Sequence, residues 1–269
     1  MANFDSILII GCGNMAGAML QGWLAAGFDP ARFAVYDPFA RDLPDGVRRL
    51  DSLPQDEIFD AILLGVKPQL LADVTPQVAP LAGSATVLLS ILAGVELAVL
   101  QDRFPQAGGI VRLMPNLSAA LGKSPIAVAA LGLDRAARDA AIVQLAPLGT
   151  PEWVAEEEFD LVTALAGSGP AFVYRFIDAL GRGAAALGLP EDEARRLALA
   201  TVEGAAALAA VSPHDPGELA RRVASPGGVT QAGLDTLDEN DALGRLVTDT
   251  LRAARDRSAQ MAAEARSKG

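Results

Sequence analysis

Residues 7–24 read Ile-Leu-Ile-Ile-Gly-Cys-Gly-Asn-Met-Ala-Gly-Ala-Met-Leu-Gln-Gly-Trp-Leu. Four apolar residues, Ile7 to Ile10, run into Gly11-Cys12-Gly13-Asn14-Met15-Ala16, after which Met19, Leu20, Trp23 and Leu24 recur at helical spacing. The pattern predicts a buried strand, a tight turn and the start of a helix. Gly11 permits the sharp turn, Gly13 lets a pyrophosphate approach the backbone, and Ala16 is small enough for the helix to pack on the strand. The free N–H groups and positive dipole end at a helix start suit a phosphate. In this context residues 11–16 read as a dinucleotide turn formed by Gly11, Cys12, Gly13, Asn14, Met15 and Ala16. The plainer alternative is a glycine turn that only joins strand to helix.

The chain has 269 residues, with 22 basic against 33 acidic side chains and a net charge of -11. That balance disfavours nucleic acid and anionic membrane as partners, because both require a basic face. An anionic ligand must then be held by local dipoles and amides. A single cysteine, Cys12, excludes an internal disulfide and fits a reducing compartment. No basic segment leads into a signal-like apolar run, and the opening apolar stretch is too short to span a membrane. The expectation is a soluble, cytoplasmic protein.

Further strands are expected at Phe33 to Tyr36, Asp60 to Val66, Ala85 to Ser90, Ile110 to Met114 and Ile126 to Ala130, with an amphipathic helix running from Lys67-Pro68-Gln69 to about Leu81. Strands alternating with helices indicate a doubly wound, mostly parallel sheet, with ligands beyond the carboxyl ends of its strands. Those ends are residues 11–17, Asp37, 66–68, 91–94 and 114–116. Asp37 suits the adenosine ribose hydroxyls and repels a 2′-phosphate, which leans toward NADH; Arg41 nearby softens that discrimination, and NADPH stays open. A turn cap before Pro38 is the other reading of Asp37.

Near residue 155 the strand-like runs stop. Long helices are expected over Phe159 to Leu187, interrupted at Gly167-Ser168-Gly169-Pro170, and over Leu189 to Val211. Shorter ones follow at Pro216 to Ala224 and Gln231 to Leu237, and a last helix runs from Asp241 to about Arg266. The expected organisation is a Rossmann domain over 1–155 followed by an all-α domain over 156–269. The Ala-rich stretches 181–186 and 204–210 are too apolar to be solvated all round, which motivates a dimer.

Taken together these segments resemble the pyrroline-5-carboxylate reductase family nearly end to end. The resemblance rests on residues 11–16, Val66-Lys67-Pro68-Gln69, Ala93-Gly94-Val95, Arg112-Leu113-Met114-Pro115-Asn116, Ala166-Gly167-Ser168-Gly169-Pro170-Ala171-Phe172 and Ser225-Pro226-Gly227-Gly228-Val229-Thr230. It implies an all-α dimerisation domain, homodimers that assemble further into five-dimer rings in some members, and reduction of the C=N bond of 1-pyrroline-5-carboxylate to L-proline by NADH or NADPH. It also implies that Ser225, Gly228, Val229 and Thr230 grip the substrate carboxylate, with the catalytic Thr230 hydroxyl facing the ring nitrogen. Gly65, Val66, Lys67, Pro68, Leu92 and Ala93 would line the ribose-nicotinamide end, with Glu156 near the cofactor. The chain departs from the family pattern at Leu117-Ser118, Ala166, Arg222 and Ser52.

Such chemistry asks little of protein acid–base groups, because a protonated cyclic imine is already electrophilic and the cofactor carries the hydride. The residues agree: there is no metal-ligand cluster, and the one histidine, His214, reads as a solvated loop residue. Cys12 reads as a space-filler and Lys67 either as a surface strand cap or as a cofactor neighbour. Ser225 and Thr230 have a competing reading as helix caps. A 3-hydroxyacid dehydrogenase, an imine reductase of broader range and a silent cofactor sensor are the other functions considered. The hydroxyacid enzymes rely on a lysine in the helical half, and here none precedes Lys268.

Overall fold

The computed structural model describes residues 4–40 and 42–267. Two compact units emerge: one extends to Ser168 and takes back the chain from Ala253, and the other is Gly169–Arg252.

The first unit is built on one eight-stranded sheet: β1 (Ile7–Ile10), β2 (Phe33–Tyr36), β3 (Arg48–Arg49), β4 (Ala61–Leu64), β5 (Val87–Ser90), β6 (Gly109–Met114), β7 (Ser124–Leu131) and β8 (Gly149–Trp153). Their spatial order is β3-β2-β1-β4-β5-β6-β7-β8, with every pair parallel except β6 and β7. The chain therefore leaves β1 in one direction and resumes at β4 on its other side, which makes the β1/β4 boundary the switch point of a doubly wound sheet. In register, Ile10 lies beside Leu64 on one flank and Tyr36 on the other.

Continuous apolar strands follow from burial on both faces. All four residues of β1 are buried, and they alternate between two cores. Ile7 and Ile9 face α1 (Asn14–Ala25) and α4 (Arg135–Leu145), packing with Met19, Leu20, Trp23 and Leu145. Leu8 and Ile10 face α2 (Leu71–Val78) and α3 (Leu97–Arg103), together with Phe159 of the short α5 (Phe159–Val162). Each such side chain contributes roughly 1.5–3 kcal/mol of burial. Trp23 stacks on Phe33 with centroids 5.4 Å apart and donates its indole N–H to the Gln144 carbonyl at 2.8 Å, so the largest core side chain leaves no polar atom unpaired.

Two strands escape the sequence reading. β3 is a two-residue exposed edge, and β8 is an edge strand containing Pro151. Strand β7 is longer than expected and runs antiparallel to β6, so the sheet's last two strands oppose the rest. A π-helical turn, Thr163–Gly167, interrupts the predicted long helix after α5, and α6 (Gly169–Ala186) begins with Pro170 in its first turn as expected.

The second unit is helical. In it α6 packs on α7 (Glu191–Val211), followed by α8 (Pro216–Val223) and α9 (Val229–Asp238). Close approach is set at Gly181, where an added Cβ would lie 3.5 Å from the Arg195 Cα and 3.7 Å from the Ala198 Cβ. Tyr174, Leu208 and Val211 remain exposed on this pair, as does Leu187 in the turn that joins them. The last helix, α10 (Ala242–Ser267), starts in this unit and ends in the first. Among the described residues no single helix is long and apolar enough to cross a membrane; α7 and α8 reach that composition only as a pair bent by 119°.

Gly22 on α1 abuts the 3-10 turn Leu117–Leu121: a Cβ there would sit 2.1 Å from the Ala119 carbonyl oxygen and 2.7 Å from Leu148. Gly22→Ala is expected to destabilise the protein by about 1–3 kcal/mol through overpacking. Thermal denaturation should show a midpoint lowered by several degrees; an unchanged midpoint would contradict the closeness of this contact.

Candidate functional site: two turns lined with amides

Three strand ends meet at the switch point. Gly11 follows β1 at φ +82°, a left-handed conformation that side chains rarely adopt, and its N–H donates to the Tyr36 carbonyl at 2.9 Å. Gly65 follows β4 and donates to the Ile10 carbonyl at 2.8 Å. The fit around these glycines is tight. A Cβ on Gly65 would lie 2.4 Å from the Gly11 oxygen and 2.8 Å from the Ala16 Cβ, and one on Gly11 would lie 2.7 Å from Val66 Cγ1.

Gly13 is different. Its φ of -73° suits any residue, and an added Cβ would meet nothing within 4 Å. It faces a cleft of about 600 Å³ bordered by Asn14, Gly17, Phe39 and Leu117. Gly13 is also the N-cap of α1, with no side chain capping the helix start and no acidic residue in its first turn. The N–H groups at this helix start therefore have no side-chain partner, the arrangement that suits an anion.

Asp37 ties two backbone segments together. Its Oδ2 accepts the Cys12 N–H at 2.7 Å and its Oδ1 accepts the Phe39 N–H at 2.8 Å. It thus fixes the glycine turn and caps its own turn, while a carboxylate still has lone pairs to spare for a ribose hydroxyl. Arg41 lies outside the described residues. Burial, and then the neighbouring Asp37 carboxylate, push the Cys12 thiol up to about 11.

Beyond β4, Val66 is half-buried, Lys67 is exposed and caps the 3-10 turn Pro68–Leu70, and Pro68 opens that turn. Beyond β5, Leu92 is buried and its N–H donates to Ser90 Oγ at 3.3 Å; Ala93 is half-buried, and Gly94 takes φ +74°. Glu156 lies against the start of α3. Its Oε1 accepts the Leu97 N–H at 2.8 Å and pairs at 2.9 Å with Arg112, whose side chain is 3% exposed and stacks 4.0 Å above the Phe159 ring. This buried pair is a feature that sequence reasoning missed; a charged residue inside the apolar β6 run was its one visible signal.

The second unit holds Ser225, Gly228, Val229 and Thr230. Here the helix begins earlier than the expected Gln231: α9 starts at Val229, with Gly228 as its N-cap, so Val229 and Thr230 sit in its first turn. The Gly228 N–H donates to the Ser225 carbonyl at 2.9 Å across a turn in which Gly227 takes φ +70°. A Cβ on Gly228 would stand 2.5 Å from Ser225 Oγ. No side chain caps α9, so the capping role considered for Ser225 and Thr230 is not realised here, and the first-turn amides stay open beside exposed Ser225 and Thr230. His214 is a half-buried loop residue whose N–H donates to Ser212 Oγ. Among the described residues, no group of three or more His, Cys, Asp or Glu side chains is arranged to hold a metal ion.

A glycine turn with free helix-start amides at the switch point of a doubly wound sheet, in a chain that continues into a helical unit, defines a nicotinamide-nucleotide oxidoreductase. Residues 6–94 match the family model described as NADP oxidoreductase, coenzyme F420-dependent, and residues 156–261 match the one described as pyrroline-5-carboxylate reductase dimerisation. The chain belongs to the pyrroline-5-carboxylate reductase family: it is 34% identical to the enzyme of Methanosarcina acetivorans over 93% of this chain and 96% of that one. It is likewise 37% identical to that of Glycine max over 91% and 92% of the two chains. The solved structure of the Coxiella burnetii enzyme superposes with a TM-score of 0.87 at 29% identity, covering 96% of this chain and 99% of that one.

Two outcomes are expected at the glycine turn. Gly65→Ala forces its Cβ onto the Gly11 carbonyl, and the dissociation constant for dinucleotide should rise at least ~10-fold by calorimetry, the equivalent of about 1.4 kcal/mol; an unaltered value would detach Gly65 from the site. The raised thiol of Cys12 means that folding favours its protonated form, a contribution present below its ordinary range and lost as pH rises through about 11. Folded protein at pH 8 should therefore react with a disulfide reagent ~10²-fold more slowly than urea-unfolded protein. Equal rates would show an ordinary thiolate.

Proposed function

We propose that this chain reduces 1-pyrroline-5-carboxylate to L-proline, and that its two open amide turns divide the work. The carrying observation is that both turns occur in one chain of this family, and that neither helix start is closed by a side chain.

When bound, the nicotinamide supplies the hydride, which goes to the carbon of the C=N bond. The rest is positioning by the chain. The amides of residues 11–16 hold the pyrophosphate, and Asp37 keeps Cys12 in place while offering its remaining lone pairs to the adenosine ribose. That arrangement favours NADH and repels a 2′-phosphate, although the family uses NAD(P)H as a whole. Gly65, Val66, Lys67, Pro68, Leu92 and Ala93 border the ribose-nicotinamide end. Glu156 acts on that region through the start of α3. In the second unit, Ser225, Gly228 and Val229 receive the substrate carboxylate on the first-turn amides of α9, and the Thr230 hydroxyl bonds the ring nitrogen. The substrate enters as the iminium, so its nitrogen already carries the proton that stays in the product. No histidine or metal is required for this balance.

The helical region from 156 onward is the dimerisation domain in this reading. The exposed apolar residues of α6 and α7 support a homodimer, with assembly of five dimers as its finer form. The domain boundary at 155/156 and cytoplasmic residence belong to the same reading.

The experiment is to follow absorbance at 340 nm with 1-pyrroline-5-carboxylate and each cofactor. Turnover should be observed, faster with NADH. Thr230→Ala should lower kcat by ~10²-fold or more while the affinity for cofactor holds. A wild-type protein that binds dinucleotide but leaves this substrate untouched, or a Thr230→Ala variant at full rate, would overturn the assignment. The same assay with hydroxyacids tests the alternative chemistry.

A further inference from the structure

The loop from Ile91 to Glu96 joins β5 to α3 and carries Leu92 and Ala93. It is held from two sides. On one side Glu156 fixes the Leu97 N–H, as described above. On the other, Gly94 lies against the backbone of α10: an added Cβ would be 3.4 Å from the Ala262 N and 3.5 Å from its Cα. Ala262 is 3% exposed. One turn earlier on the same face, Ser258 donates its hydroxyl hydrogen to Asp160 Oδ1 at 2.6 Å, which anchors the helix end to α5. A cavity of about 710 Å³ opens beside this contact, bordered by Pro68, Ala93, Gly94, Arg257 and Met261.

We propose that Ser258 and Ala262 are positioning residues for the cofactor: the end of α10 clamps the Ala93–Gly94 backbone in the one conformation that receives the nicotinamide end. The physical need is plain. A loop with a glycine at φ +74° has many backbone states open to it. A helix backbone that leaves only about a methyl's width beside that glycine limits how far the loop can move toward α10, and the Ser258–Asp160 bond keeps the helix there. Neither residue touches the ligand. The inference rests on the reading above, in which Leu92 and Ala93 border the nicotinamide.

The test uses the full-length protein with Ser258→Ala, Ala262→Leu and, as a control of equal added volume on the exposed face, Ala259→Leu. NADH dissociation constants are measured by calorimetry, KM values for both substrates by absorbance, and melting temperatures by calorimetric scan. Ser258→Ala and Ala262→Leu should each raise the dissociation constant and KM for NADH by about three- to tenfold, the weight of one hydrogen bond. The KM for pyrroline-5-carboxylate should hold, kcat should recover at saturating NADH, and Ala259→Leu should match the wild type. NADH affinities within twofold of wild type, or equal losses for both substrates, would overturn the proposal. Should Ala262→Leu fail to fold, Ser258→Ala decides alone. Because NADH affinity is read without turnover, a wild type inactive on pyrroline-5-carboxylate would sink the functional reading while leaving this one decidable.

Discussion

The site depends on one backbone-to-backbone contact. Parallel pairing of β1 with β4 brings Ile10 beside Leu64, and the chain must then turn away from both strands in almost the same place. It does so because Gly65 carries no Cβ where the Gly11 oxygen and the Ala16 Cβ already stand, and because Gly11 tolerates φ +82°. The consequence is geometric. The first turn of α1 lies directly over the carboxyl edge of the sheet, and its amides open outward instead of being covered by a wider loop. Gly13 then has open space before it, so the fold does not require its lack of a side chain, and in the proposed function that space receives the pyrophosphate.

How much of this could be read from residues follows from where each element gets its energy. β1, β2, β4, β5 and β6 are buried on both faces, so they appear as apolar runs, broken only by Ser90 at the end of β5 and Arg112 inside β6. β3 consists of the exposed Arg48 and Arg49, pairs in the sheet with β2 alone, and no pattern marks it. β8 hides behind Pro151, which an edge strand tolerates because its outward N–H is not needed. The antiparallel direction of β7 is equally invisible, since burial periodicity carries no sign. The dinucleotide turn was legible because its chemistry is local. The cap that Asp37 places on the Phe39 N–H was legible for the same reason, whereas its hydrogen bond from the Cys12 N–H was not, because that one exists only once Ile10 and Tyr36 are in register.

The Arg112–Glu156 pair illustrates the same limit with a charge. A guanidinium almost wholly removed from water inside β6 brings a desolvation cost that a single carboxylate offsets only in good geometry, so the pair is weak evidence for stability. Its second bond is more telling. The same Glu156 oxygen accepts the Leu97 N–H, which ties the start of α3 to the middle of a buried strand. Taking away the carboxylate would strand the guanidinium beside the Phe159 ring and free the helix start together, a loss of roughly 3–5 kcal/mol. The pair is better understood as a fixed peg under the loop that follows β5 than as a contributor to the core.

The overall charge of -11 then makes sense of the way anions are held. A chain with 22 basic against 33 acidic side chains does not gather a dinucleotide and a carboxylate by bulk attraction. Amide dipoles at a helix start act over a few ångströms, whereas the field of distant surface carboxylates is screened within about 8 Å at physiological salt. Within the first turn of α1 or α9 the local N–H groups therefore dominate. They are also fixed before the ligand arrives, so no side chain has to be ordered to receive it. In the proposed function, an imine that enters cationic at nitrogen is favoured by the acidic balance of the chain, and its carboxylate is left to the first-turn amides of α9. An acidic surface and the positive dipole ends at two helix starts are in this sense complementary parts of one arrangement.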